Sequence, residues 1–355
     1  MYVEGVLLDC IDRIRTNRSI FGIYHLITGK KSIQSVHDAR IFQLEKYYGI
    51  YASLSRQHFI HIISEMKKKG WIIEQGPDDY YMISSAAKEL LRDYYDSSVY
   101  TNLNGLMLSG KDISFLERLY LLVQTYSNLQ ANHYSFIPII DNPSVTYWVK
   151  QFYHHNGKER VAEKLYHELH HVLSQLSNKE AVIFVDRLSG YQHYGMSIDQ
   201  LAAKYQFSHD DMKIILIAIT HKFLTVMDRN QENYPILLQL MDKPNENKFI
   251  TNTANLTYQL YMNNLSLEDI AKKRELKLST IYDHIVEIAL YDPDFDIQSF
   301  VSQEEQAQIV QAVKNNQTLK LKIIKENCSP SIDYFQIRLV LTRLKELLPE
   351  EDFHV

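Results

Sequence analysis

His167, Glu168 and His171 stand in the order H-E-x-x-H within a stretch whose apolar spacing predicts a helix. Two histidines four residues apart share one helix face and can bind one Zn²⁺, with the glutamate between them as general base for water attack. Catalytic zinc needs a third protein ligand. The extension H-x-x-G-x-x-H is missing, because Ser174 and Ser177 occupy its Gly and His positions, and the next acid is Glu180. The chain holds 15 His, so the pattern also fits a solvated, aromatic-rich helix face. Gly29-Lys30-Lys31-Ser32 resembles the end of a phosphate loop, but the earlier Gly it requires is replaced by Tyr24 and the run between is apolar. No dinucleotide fingerprint, nucleophile elbow or acidic helicase box is present. The expectation is a chain without enzymatic activity, cofactor or metal.

The second chemistry available is phosphate and base contact. Ser266 to Leu290 reads SLEDIAKKRELKLSTIYDHIVEIAL. Ser266 caps a helix with Asp269 three residues on, and Leu267, Ile270 and Ala271 form its buried face. Ile281, Ile285 and Ile288 form the inner face of a second helix, and small Ala271 permits close crossing. This is the grammar of a helix-turn-helix. The head of its second helix would present Lys277, Ser279, Thr280, Asp283 and His284 to a DNA groove, with Lys272 alongside. The same grammar also serves hairpins used only for packing. Further candidates are Arg56, Gln57 and His58 at the start of an N-terminal helix, Lys67 at its end, and Lys320, Lys322 and Arg338 near the C-terminus.

The elements that must position these residues read as mainly α. Residues 1–100 have the order of a winged helix. The helix RQHFIHIISEMKKKG buries Phe59, Ile62, Ile63 and Met66, and two β-prone runs around Gly-Pro-Asp-Asp come next as the wing. Residues 101–245 read as a helical middle domain with amphipathic stretches at 113–130, 144–153, 158–176, 178–189 and 210–225. Inside it MSIDQLAAKYQFSHDDMKIILIAITHKFL forms a second candidate hairpin, whose last helix is apolar enough to be core. The polar run MDKPNENKF at 241–249 marks a linker to the helix-turn-helix domain at 250–348, and the tail from Pro349 should fray.

The net charge of −5 excludes a bulk polyanion binder, but the charge is uneven. From Arg13 to Gly70 eleven Lys and Arg face three acids, the next thirty residues reverse sign, and Gln311 to Lys345 is basic again. Localised basic patches are what phosphate contact requires. The 25 Tyr suit both half-buried helix faces and base stacking. Cys10 and Cys328 form no CxxC, the start lacks a signal-peptide pattern, and the longest aliphatic run is far short of a membrane span, so a cytoplasmic location is expected.

On LSLEDIAKKRELKLSTIYDHIVEI at 265–288, LKLKIIKE at 319–326 and SIDYFQIRLVLTRLK at 331–345, the chain resembles the helicase-associated helix-turn-helix domain of some RecQ-type helicases. With SIFGIYHLITGKKS near the start, it is similar over its whole length to the YpbB-like proteins of Gram-positive bacteria. The resemblance implies an accessory protein that binds DNA beside a RecQ-type helicase in repair or recombination, with Leu278, Ser279, Thr280 and His284 at the recognition head. The Gly expected in the turn is replaced by Arg274-Glu275-Leu276. A transcriptional regulator, which would be a homodimer on a palindromic site, and a protein-interaction scaffold without DNA contact are the rival expectations.

Overall fold

The structure is a computed structural model that describes residues 1–76, 78–157, 159–242 and 251–347, with backbone only for Glu159, Arg160 and Lys345. The expected linker beyond Asp242 and the tail from Pro349 lie outside the described residues. Among the described residues the fold is helical apart from one two-stranded hairpin.

The N-terminal elements are α1 (Tyr2–Ile14), α2 (Ile20–Ile27), α3 (Ile33–Ile41), α4 (Arg56–Lys68), β1 (Ile72–Glu74), β2 (Tyr81–Ile83), α5 (Ser85–Tyr95), α6 (Ser98–Asn102) and α7 (Gly105–Leu108). The Ser55 hydroxyl accepts the His58 amide and starts α4, and Gly70 at φ 69° ends it. β1 and β2 pair antiparallel, with Ile72 opposite Ile83 and Glu74 opposite Tyr81. Helix, strand, turn, strand is the winged-helix order that the sequence predicts. The wing does one job the sequence hides. Ser19 makes no side-chain cap, and the Ile20 amide donates instead to the Asp79 carbonyl in the wing turn at 2.8 Å. Beneath lies a buried carboxylate, Asp9, which accepts Tyr47 Oη at 2.5 Å, Tyr95 Oη at 2.8 Å and Arg13 Nε at 2.6 Å. Part of the tyrosine surplus is thereby structural, since each phenol offers an apolar ring and one donor.

The middle holds α8 (Lys111–Gln130), α9 (Pro143–Asn156), α10 (Glu159–Ser174), α11 (Asn178–Asp186), α12 (Ile198–Tyr205) and α13 (His209–Arg229). As its composition predicts, α13 is core, burying Met212, Ile214, Ile215, Ile219, Phe223 and Leu224 among others. Within this core His221 Nδ1 accepts the Asn104 amide at 2.9 Å, which leaves Nε2 to donate to Asp112 Oδ2 at 3.2 Å.

The C-terminal elements are α14 (Asn252–Met262), α15 (Leu267–Arg274), α16 (Leu278–Tyr291), α17 (Gln303–Asn316), α18 (Leu321–Glu326), α19 (Tyr334–Thr342) and α20 (Leu344–Leu347). They pack directly on the N-terminal module. Arg40 of α3 donates to the Leu290 carbonyl at 2.6 Å and lies 4.5 Å over the Tyr291 ring. Asn17 Oδ1 accepts both Thr318 Oγ1 and the Leu319 amide at 2.9 Å. His37 is buried where α3 meets α19, with Nε2 lacking a hydrogen-bond partner among the described residues, and its pKa falls to about 3 through burial and the nearby Arg338 and Arg18 charges.

Candidate nucleic-acid interface

Ser266 Oγ accepts the Asp269 amide at 3.1 Å and starts α15. Its hydroxyl donates to Asp269 Oδ2 at 2.7 Å, so the carboxylate takes the serine side chain. Ile270 and Ala271 are buried under Ile281, Ile285 and Ile288 of α16. The turn that lacks its Gly closes through Glu275, which takes the left-handed conformation at φ 54° and ψ 39°. That geometry costs a non-glycine residue about 1 kcal/mol, and the Glu275 and Leu276 amides recover it by closing on the Lys272 and Ala271 carbonyls.

Lys272, Lys277 and Ser279 are exposed around this turn and Thr280 is half-buried. Lys273 is exposed beside them and belongs in the same cluster, although no motif in the sequence singles it out. His284 does not face outward. It is buried, its Nδ1 lies 2.8 Å from Thr257 Oγ1, and burial together with the Arg274 charge lowers its pKa to about 4. Arg274 turns inward too, donating to the Thr253 carbonyl at 2.7 Å and Thr253 Oγ1 at 2.6 Å. His284 therefore clamps α14 to the hairpin, which corrects its expected role at the recognition head. A signal was available, since His284 lies three residues after Ile281 and shares the inward stripe of α16. Arg338 is likewise committed, 2.5 Å from Asp283 Oδ1 of α16, which neutralises both at the side of that helix.

The second hairpin repeats the first position for position. Ser197 and Ser266 cap, Leu201-Ala202 and Ile270-Ala271 are buried, Gln206 and Glu275 are left-handed, and Met212 and Ile281 seat the second helix. The heads of the two second helices differ. On α13, Asp211 accepts the Tyr2 amide at 2.5 Å and the Val3 amide at 3.1 Å, while Asp210 pairs with His58 Nε2 at 2.7 Å and with Tyr51 Oη. The N-terminal module thus covers this head. On α16 the equivalent positions are Ser279, which is exposed, and Thr280, which is half-buried; neither carries charge, and among the described residues no such partner covers them.

The remaining candidates gather at the wing or stand alone. Arg56 and Gln57 are exposed, with the Arg56 guanidinium 4.3 Å over the Phe21 ring. His58 is held by Asp210, so it serves the joint between modules. Lys67 of α4 pairs with Glu74 of β1, and Lys320 lies 5.4 Å over Tyr80 in the wing. Lys322 is 82% exposed and 4.0 Å from Glu326. The structure brings Lys67 and Lys320 to the wing, leaves Arg56 over Phe21 of α2 at the far end of α4, and brings Lys272, Lys273 and Lys277 to the α15–α16 turn.

The H-E-x-x-H helix is split by its own geometry. His167 and His171 are exposed, whereas Glu168 is buried and accepts the Ile236 amide at 3.0 Å and the Leu237 amide at 2.9 Å. The carboxylate caps the single turn Leu237–Leu240. Burial raises its pKa, against those two amides. The general base of a zinc site would have to face the metal with the histidines, and this one faces the backbone. Among the described residues no group of three or more His, Cys, Asp or Glu is placed to hold a metal ion.

A family model described as a helix-turn-helix domain matches residues 253–341. Protein YpbB of Bacillus subtilis (strain 168) is 30% identical over 344 residues, covering 96% of this chain and 97% of that protein. The chain belongs to the YpbB family. No solved structure matches it. The matched domain spans α14 to α19 and holds Lys272, Lys277, Ser279, Thr280, Lys320, Lys322 and Arg338, whereas Arg56, Gln57, His58 and Lys67 lie outside it. A helix-turn-helix domain suggests DNA binding. Among the described residues no helix is long and apolar enough to cross a membrane.

Proposed function

We propose that this YpbB-family chain is a non-enzymatic DNA-binding accessory protein that works with a RecQ-type helicase in repair or recombination. One observation carries the DNA-binding part. Of two hairpins of the same design, one has its second-helix head covered by the chain's own N-terminal module, and the other presents uncharged Ser279 and Thr280 beside exposed Lys272, Lys273 and Lys277. Lysines at the turn supply phosphate contacts, and a short-side-chain head supplies little base discrimination, so binding depends on the backbone more than on sequence. Support for the helicase partnership is the resemblance of about 253–341 to the helicase-associated domain.

The test is a salt titration of binding to duplex, single-stranded and forked DNA, with and without a RecQ-type helicase of the same cell. Replacing Lys272, Lys273 and Lys277 by Ala should weaken binding on unrelated sequences and flatten the slope of log K against log salt by about 0.9 for each duplex phosphate no longer neutralised. Unchanged affinity and slope would overturn the site. A wild-type chain that binds the helicase and no DNA would make it an interaction scaffold. DNA binding without a helicase complex would overturn the partnership alone.

A further inference from the structure

Two loops of the middle domain form an exposed apolar ridge that the DNA reading does not use. Between α8 and α9, Tyr134 is 67%, Ile137 89% and Ile139 38% exposed. Between α11 and α12, Tyr191 is 40% and Tyr194 85% exposed. The loops adjoin, since the His133 and Tyr191 rings lie 5.5 Å apart and the Tyr191 amide donates to Ser127 Oγ at the end of α8 at 2.9 Å.

Both loops are held rigidly. The buried Gln124 amide brackets the first, donating to the Ile137 carbonyl and accepting the Ile139 amide, each at 3.0 Å. The second closes on itself through Gly190 and His193, whose amides and carbonyls pair at 2.9 and 3.2 Å across the left-handed Gln192. Gly190 allows this seat, because a Cβ there would stand 2.6 Å from Ser127 Oγ. Large apolar side chains fixed on a pre-ordered scaffold lose little entropy on association, which is the design of an interaction surface.

The charge pattern selects the occupant. Residues 131–140 and 189–196 contain no Asp, Glu, Lys or Arg, in a chain that is 23% charged. Neither stretch carries a Lys or Arg, so the ridge lacks the basic track that phosphate contact requires. In a two-fold contact a patch meets its own copy, and any net charge on it would repel itself. An uncharged apolar patch with tyrosines suits that geometry and matches the apolar character of homodimer interfaces. We infer that the full chain self-associates through this ridge, with Ile137 and Tyr194 as its anchors.

The experiment is light scattering and sedimentation of the full chain over a wide concentration range. Wild type should pass from monomer to dimer. Ile137→Asp with Tyr194→Asp should remain monomeric at unchanged melting temperature, and Tyr166→Asp, on the exposed face of α10, should dimerise like wild type. A wild-type monomer up to roughly 1 mM, where even a weak specific contact would be occupied, would overturn the inference. So would a dimer that survives the double variant.

Discussion

Asp211 joins two parts of the chain that are distant in sequence, and removing its carboxylate measures that joint. The side chain is buried, accepts the Tyr2 amide at 2.5 Å and the Val3 amide at 3.1 Å, and stands in the first turn of α13. It therefore faces the positive ends of α1 and α13 together. Asp211→Ala leaves the buried Val3 amide unsatisfied at about 1–3 kcal/mol and the partly exposed Tyr2 amide at the lower end of that range. Loss of the favourable charge at two helix starts adds about 0.3–1 kcal/mol each. The expected destabilisation is about 3–5 kcal/mol. With an unfolding entropy near 2.1 cal/mol/K per residue, a chain of this length melts about 4–7 °C lower. Asp211→Asn keeps one acceptor and should lose about half as much. Calorimetry gives the total, and hydrogen exchange should show the first turn of α1 opening first. DNA affinity, measured well below the melting temperature, should stay at the wild-type value. A loss below about 1 kcal/mol would refute the accounting. Tighter DNA binding by the alanine variant would show that this head reads phosphate, and that the N-terminal module does not cover it.

Acidification should loosen the contact between the N- and C-terminal modules. The unfolded chain protonates His37 near pH 6.5 and the folded chain only near pH 3, so the unfolded state holds more protons in between and stability falls as pH drops. The His37 contribution between pH 7 and 5 is about 2 kcal/mol, and His284, lowered to about 4, acts in the same direction. In urea melts His37→Gln should therefore reduce that pH slope, and an unchanged slope would refute the assignment. Glu168→Gln should cost about 1–2 kcal/mol by weakening the cap on Ile236 and Leu237, whereas His167→Ala should change neither stability nor metal content, both read by calorimetry and elemental analysis. A tightly bound zinc that disappears in His167→Ala would restore the hydrolase reading. Gly105→Ala should cost about 2 kcal/mol or more, because its Cβ would stand 2.2 Å from the Tyr48 carbonyl oxygen and 2.8 Å from that of Lys46; a melt equal to wild type would show that the backbone there can shift.

Legibility in the sequence depended on how local the determining physics is. The Ser55, Ser197 and Ser266 caps, the apolar stripe of α16 and the wing hairpin each rest on a few neighbouring residues, and each forms as those residues dictate. Glu275 defied a local rule because the cost of a left-handed turn is small beside the burial of Ile270 and Ile281 that the turn allows. The role of His284 was legible in its spacing, where the period of the helix outweighs the polarity of the side chain. Arg338 and His58 could not be placed this way, since their partners Asp283 and Asp210 lie far off in the chain and nothing in the local pattern announces them. The same holds for the two hairpins, whose sequences share one design. The chain distinguishes them by the pair of residues at the head of each second helix. An Asp-Asp pair can cap an incoming helix start and hold a histidine, and so recruits a protein neighbour, while Ser-Thr beside three lysines leaves the head free for an anion. Exchanging those pairs, Asp210-Asp211 for Ser279-Thr280, would therefore transfer the cap as well as the charge, and the hairpin that loses its acids should lose its N-terminal neighbour.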